Sequence, residues 1–349
     1  MNWKRMWVMF IARNKEYFRD KSAFGWNLLF PFLIILGFGI IFGGDSREFY
    51  KIGIFPVAAS KVSPEDLKIP DGMKKMKYVE FIGFPDQEKG MELLMHHKID
   101  LLLGRSGERF SYWVSNTSPR GYVAEQMIMA ALAPAKGAGS IEKKLIEGIE
   151  IKYIDWLFPG ILAMNMMFSA LWGVGYVIVR YRKNGVLKRL KATPLTALEY
   201  LSAQMLSRIF LLMFSLVIVW IGCNMIFNFR MAGSYFNVFL IFLLGGCSLT
   251  ALGLLVACRG ISEEFTSGVL NFITWPMMFL SEVWFSLEGA PDWVKWLAKL
   301  FPLTHINNAV RKVMNDGATL ADVSADILIL ALLTVVSLVL GARLFTWSR

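Results

Sequence analysis

The 349 residues are 55% hydrophobic and 18% charged, with a mean hydropathy of +0.48 and a formal net charge of +10. That apolar weight excludes an ordinary soluble domain and points to a chain built around membrane spans. Lys and Arg gather in the short loops assigned to the inner side, so the basic excess is a topology signal and implies no nucleic acid partner.

Asn2 to Lys21 is expected to form an amphipathic helix. Trp3, Met6, Trp7, Phe10, Tyr17 and Phe18 cluster on one face, with Lys4, Arg5, Lys15 and Arg19 away from them. A basic helix with tryptophans on its apolar side suits the headgroup layer, so residues 1–23 are read as a cytoplasmic interfacial helix. The small-residue cleavage site of a signal peptide is not evident. Phe24 to Phe42 is long and apolar enough to be a first span, residues 24–43. Pro31 lies inside it, which membrane helices tolerate where neighbours satisfy the freed carbonyl.

Residues 44–153 have ordinary composition and are read as an inserted extracytoplasmic α/β domain. Tyr50–Phe55, Tyr78–Phe84, Ile99–Leu103 and Phe110–Val114 have strand patterns. Pro85–Lys98, with Met91, Leu94 and Met95 on one side, and Pro119–Leu132 have helical ones. Strands alternating with helices argue for a small α/β fold. No phosphate-cradling glycine loop or nucleophile elbow is present in it.

Residues 154–349 are expected to supply five more spans: Ile154–Val179, Leu201–Phe227, Tyr235–Cys258, Phe265–Phe285 and Asp326–Phe345. With the first this makes six, which returns both termini to the cytoplasm. Cys223, Cys247 and Cys258 all lie in apolar runs and indicate no disulfide framework. His96, His97 and His305 are too scattered for a metal cage. Between the second and third spans lies YRKNGVLKRLKATPLT, Tyr181 to Thr196. Asn184 is expected to N-cap a short helix, with Gly185 turning the chain into it. Val186, Leu187 and Leu190 fall on one side, and Lys188, Arg189 and Lys191 give it charge. Thr193-Pro194 stops it, and Thr196 with Glu199 has capping-box spacing for the next helix. The loop reads either as a docking element or as a plain topology signal. In the outer segment 283–314, Trp293, Trp296, Leu297 and Leu300 form an apolar stripe that Pro302 breaks and Ile306 to Met314 resumes. Such pieces suit the outer leaflet or a re-entrant hairpin.

Arg208 and Glu282 are charges inside expected spans. Arg208 is near enough to the inner interface to snorkel there, and Glu282 is a candidate outer gate. Asn165, Asn271 and Thr274 either line a translocation path or bond between helices.

LLFPFLIILGFGIIFGG, DWLFPGILAMNMMFSALWG, YRKNGVLKRLKATPLT, ELLMHHKIDLLLGR and WPMMFLSEVWFSLEGAPDWVKWLAKLFPLTHINNAVR together resemble permease subunits of the ABC-2 class, the type V exporter fold. The resemblance runs over nearly the whole chain, within the subgroup carrying a large domain after the first span. Where that family often has a small residue and a Phe-Phe-Pro run, this chain has Glu282 to Ser286. The resemblance implies an α-helical integral membrane protein with six transmembrane helices, an N-terminal interfacial helix, the inserted domain and outer re-entrant helices. It implies a bacterial cytoplasmic membrane location and an exporter subunit without catalytic residues of its own. The partners it implies are a separate ABC ATPase subunit that holds ATP and Mg, a second permease copy or paralogue, membrane lipid and a periplasmic adaptor. Residues 184–193 would be the coupling helix, so Asn184, Gly185, Val186, Leu187, Lys188, Arg189, Leu190, Thr193 and Pro194 would engage the ATPase, with Glu263 and Glu264 adding a lesser contact. The chain carries no G-x-x-x-x-G-K-[ST] motif, which fits that division.

A membrane-anchored receptor or scaffold would also pair an outer binding domain with a helical bundle, but has no need of a capped helix between spans. A membrane-embedded hydrolase would draw on Glu282, Glu288, Asp292 and His305, whose spacing follows no catalytic motif.

Overall fold

The first helix of the computed structural model, α1 (Trp3–Arg19), is capped by Asn2, whose side chain accepts the Lys4 N–H. Described residues are 2–42, 50–57, 69–95, 98–106, 109–116, 118–132, 152–259, 262–287 and 290–345. The apolar face expected for α1 divides in two. Met6 and Asn14 are buried and Phe10 is half-buried, packing edge-on to Phe210, whereas Trp3, Trp7 and Phe18 stay exposed. At Asp20 the backbone leaves helical geometry, and α2 (Lys21–Phe42) begins, with Pro31 inside it.

Residues 45–148 form a compact unit of their own. Its elements are β1 (Tyr50–Phe55), α3 (Asp71–Lys74), β2 (Val79–Gly83), α4 (Gln87–Met95), β3 (Leu101–Ser106), β4 (Arg109–Trp113) and α5 (Pro119–Leu132). The sheet order is β2-β1-β3-β4, with β1 parallel to both neighbours and β3 antiparallel to β4. The two central strands are largely buried on both faces, which is why Ile99 to Leu103 reads as a continuous apolar run. Ile52, Ile54, Leu101 and Leu103 pack with Met73, Ala124 and Ile128 on one side. Leu102 packs with Phe84, Leu94 and Ile99 on the other. Met95, expected beside Leu94, is instead exposed. His96, His97 and Glu288 lie outside the described residues.

The second unit, residues 1–44 and 149–349, is helical. It continues with α6 (Tyr153–Ala170), a π-helical segment Leu171–Tyr176, α7 (Val177–Lys183), α8 (Val186–Lys191), α9 (Ala197–Phe227), α10 (Tyr235–Arg259), α11 (Glu263–Leu280), α12 (Asp292–Ala298), α13 (Pro302–Asp316) and α14 (Ser324–Leu344). The run from α6 through α7 is one unbroken apolar stretch, Tyr153–Lys183. It sits at the centre with α10, the two windows being 67% and 61% buried, against 17% for α2 and for α14. Gly253 and Gly175 let α10 and the π segment meet backbone to backbone; a Cβ at Gly253 would stand 3.1 Å from Leu171 Cα.

Among the described residues, five helices are long and apolar enough to cross a bilayer, not the expected six. The exception is α11. It starts with two glutamates, carries Thr266, Ser267, Asn271, Thr274 and Pro276, and ends at Leu280, short of the expected Phe285. Its end is set by Ser281 as C-cap and by Glu282 in the left-handed region, φ 55. Pro302, expected to break an apolar stripe, is the first residue of α13, where a missing N–H costs nothing.

α13 is the least expected element. Nearly all of it is buried, including the polar His305, Asn307, Arg311 and Asn315. Two of those side chains, Asn307 and Arg311, serve carbonyls just past the end of α11. Asn307 Nδ2 donates to Ser281 O (2.7 Å) and Arg311 Nη2 to Glu282 O (2.6 Å).

Candidate functional site

Three polar constellations stand out in the helical unit, and the expected site residues apart from Asn271 and Thr274 are distributed among them. The first is the loop around α8. Asn184 is the C-cap of α7, its N–H bonded to Arg180 O, so it does not N-cap α8. Gly185 does, at φ 69 and ψ 7, a left-handed geometry that a residue without Cβ adopts freely. Leu187 is fully buried with Ile178, Val179, Tyr200, Leu201 and Leu254, and half-buried Leu190 packs on the same cluster. Of Val186, Leu187 and Leu190, expected on one side of the helix and among the residues that would engage the ATPase, Leu187 is not available to a partner: it anchors the helix to its own bundle. Lys188, Arg189, Lys191, Thr193 and Pro194 are exposed. The capping box is present, Thr196 and Glu199 exchanging side-chain-to-backbone bonds of 3.3 and 3.0 Å.

α1 ties this loop down from outside. Asn2 N–H donates to Glu199 Oε1 (2.6 Å), and Arg5 donates to Pro194 O. Arg13 Nε donates to Gln204 Oε1 (2.8 Å), and Tyr181 bonds Glu16. Glu263 is engaged within the chain, accepting from Tyr176 OH at 2.6 Å and pairing with Lys183 at 3.5 Å. Glu264 is mostly exposed beside it.

The second constellation is a cavity of about 700 Å³ among α1, α2, α6 and α9. Asn165, Arg208, Ser169 and Asn27 line it. Asn27 Nδ2 donates to Tyr17 OH (2.6 Å) and Ser169 Oγ (3.1 Å), and Asn165 Nδ2 approaches Asn27 O at 3.4 Å. Arg208 donates to the carbonyl and hydroxyl of Ser169 on α6.

The third is the junction of α11 and α13. Glu282 Oε1 accepts the Leu287 N–H (3.1 Å), and its Oε2 lies 3.7 Å from Arg311 Nη1. Arg311 Nε donates to Trp156 O (3.0 Å), and the guanidinium carbon sits 3.7 Å over the Trp156 ring. On the same helix His305 bridges Asp326 Oδ1 (Nδ1, 2.7 Å) and Lys299 O (Nε2, 2.8 Å). Burial lowers the imidazole pKa, but the bonds to Asp326 and Lys299 outweigh it, so it titrates above the ordinary histidine value.

Asn165 and Glu282 thus belong to separate constellations. Asn271 is exposed on α11, while Thr274 is buried one turn on with its hydroxyl 3.4 Å from Asn271 O. Neither lines the cavity. Arg311 was not singled out by the sequence. The available signal was an arginine within an apolar helical stripe, which needs a buried partner.

A family model described as ABC-2 family transporter protein matches residues 21–343. The chain belongs to the ABC-2 family. Two curated relatives are similar to parts of this ABC-2 chain. One is a Daunorubicin resistance ABC transporter permease protein, DrrB1, of Streptomyces coeruleorubidus, 22% identical over 56% of this chain and 69% of the relative. The other is ABC transporter G family member 20 of Dictyostelium discoideum, 24% identical over 48% of this chain. The match spans only 23% of that longer relative. With the apolar helices above, family membership makes this a multi-pass membrane protein of the ABC transporter class.

Proposed function

We propose that the chain is the transmembrane permease subunit of an ABC exporter, moving a substrate out of the cytoplasm or inner leaflet with ATP hydrolysed by a separate subunit. The observation that carries this is the α7–α8–α9 loop. A short helix with an exposed basic face is pinned from inside by Leu187, from its end by the Thr196–Glu199 box, and from outside by α1. A loop that only signalled topology would need its charges but none of this fixing. Residues 184–193 are the coupling element in this reading, with Lys188, Arg189, Lys191, Thr193 and Pro194 facing the ATPase. ATP and Mg belong to that subunit. Asn165, Asn271, Thr274 and Glu282 remain candidates for the path and outer mouth.

The arrangement that goes with this function has α11 as the fifth of six spans, α12 and α13 as outer re-entrant helices, and the α/β unit on the extracytoplasmic side. Two copies, or one copy and a paralogue, pair in a bacterial inner membrane with all termini in the cytoplasm. The exposed Trp293 and Trp296 on α12, with Leu300 just past its end, suit contact with the outer leaflet. The test is capture of the ATPase by the tagged permease. Replacing Lys188, Arg189 and Lys191 together by alanine should weaken capture at least about tenfold at low salt, and added salt should weaken the wild type likewise. Undiminished capture by the triple variant would reduce the loop to a topology signal.

A further inference from the structure

The cavity among α1, α2, α6, the π-helical segment, α7 and α9 shares Arg13, Glu16, Tyr181 and Gln204 with the ties that hold the α8 loop, and is separate from the α11–α13 junction. We propose that it binds an amphipathic anion, a phosphate or carboxylate head held by Arg208 and an apolar body lying along Trp26, Phe30 and Trp172. The proposal rests on the permease reading only for what the occupant is for; the binding is a property of this chain.

Arg208 lies roughly 17 Å along α9 from its start, by the 1.5 Å rise per residue. An uncompensated cation at such a place is costly and calls for a partner. Among the described residues no recorded ion pair engages it. Its Nη2 donates to the carbonyl and hydroxyl of Ser169, which are neutral. Its Nε is shut off from solvent and meets no acceptor. The guanidinium fits because Gly173 faces it: any Cβ there would collide with the Arg208 head.

The acids lining the cavity are already committed. Glu16 is held at 2.7 Å by Arg13 and by Tyr181, and Asp20 is engaged as well. The remaining wall offers hydrogen bonds from Asn27, Asn165 and Ser169, suited to the other oxygens of an oxyanion. Size and opening favour an amphiphile over a free ion. About 700 Å³ is far more than a phosphate needs and lies in the ordinary range for organic ligands. Trp26 and Phe30 both line the cavity and show 63% and 39% exposure on α2, which with α14 is among the least buried of the long apolar helices. A hydrocarbon tail leaving beside them would enter the surrounding bilayer. Two sources share this chemistry, a resident phospholipid and a single-chain cargo.

The full chain, purified without the ATPase, would be titrated with dodecyl phosphate and, separately, with phosphatidylglycerol or phosphatidylcholine, the bound species being counted by native mass spectrometry. One saturable equivalent of dodecyl phosphate is expected. Loss of a charge-assisted contact should weaken it about tenfold or more in Arg208→Gln, with much of the affinity returning in Arg208→Lys. Trp26→Ala, on an exposed face and so safe for folding, should weaken it roughly threefold. Lys295→Gln should leave it unchanged. Retention of phosphatidylglycerol over phosphatidylcholine, displaced by dodecyl phosphate, supports the site with a bilayer lipid as occupant. Dodecyl phosphate binding that phosphatidylglycerol does not compete supports it with a single-chain cargo. Absence of saturable binding, or binding undiminished in both Arg208→Gln and Trp26→Ala, overturns it. Because no ATPase is present, failure here and failure of the ATPase capture are separate results.

Discussion

Arg311 shows how one side chain can decide the meaning of another. Glu282, taken alone, is a charge near the outer end of an apolar run and therefore a gate candidate. Next to Arg311 it is also one leg of a brace that reaches Trp156 on α6. Removing Arg311 leaves the carbonyls of Glu282 and Trp156 without their donor, at about 1–3 kcal/mol each. Glu282→Gln leaves both of those carbonyls with their donor and removes only the 3.7 Å ion pair. Arg311→Ala should therefore lower the Tm of the purified protein well beyond Glu282→Gln, measured by scanning fluorimetry in detergent. Reduced export in Glu282→Gln at an unchanged Tm would mark the carboxylate as part of the path. His305 adds a pH dependence. Its pKa is higher folded than unfolded, so its contribution is complete below about pH 6.5 and is lost as pH rises through the folded value. Raising the pH from 6 to 9 should lower the Tm of the wild type more than that of His305→Asn, and equal slopes would remove His305 from the account.

At the scale of elements, α8 separates backbone geometry from packing. Gly185→Val must place a β-branched residue at φ 69, a strain of about 1–2 kcal/mol confined to the loop. Leu187→Ala truncates a fully buried side chain, at about 2–5 kcal/mol. Gly185→Val should cut ATPase capture with little change in Tm, while Leu187→Ala should lower both; a Tm loss of equal size in Gly185→Val would contradict the local reading. The Thr196–Glu199 box was legible because both of its bonds are local and its spacing is fixed by the helix. The division between Asn184 and Gly185 was not, since both residue types end and begin helices and only the turn between them assigns the roles. Helical spacing placed Leu187 on an apolar face but could not say what would cover it. α1 makes the same point: its apolar residues meet two surroundings, bundle and exterior, and periodicity cannot tell one from the other.

For the whole molecule, the spans legible in the sequence are those whose apolar length decides the matter by itself. α11, read in the sequence as the span Phe265–Phe285, falls short of that criterion because its Thr, Asn and Pro residues and its early end lower its apolarity, although Leu270, Thr274 and Met277 are buried. The α/β unit was legible as alternation, and the order β2-β1-β3-β4 was not, because pairing between distant strands leaves no local trace. The proposed topology has a direct check. Single cysteines at Lys89 and Lys295, in a cysteine-free background, should react with an impermeant thiol reagent in intact cells, and one at Lys188 should not. Labelling at Lys188 without permeabilisation would overturn the arrangement.

The borrowed end of α11 has a mechanical consequence. Its first turn is moored to Lys183 and Tyr176 beside α8, and its last carbonyls are gripped by Asn307 and Arg311. α13 is in turn tied to α14 through His305 and Asp326. A rod of about 27 Å, fastened at both ends, passes on displacement instead of absorbing it. Pro276, a turn before the far mooring, is a point where it can give. A tug on the basic loop would thus be felt at the opposite end as a tilt of three helices together, and stiffening that single joint would change how far they swing.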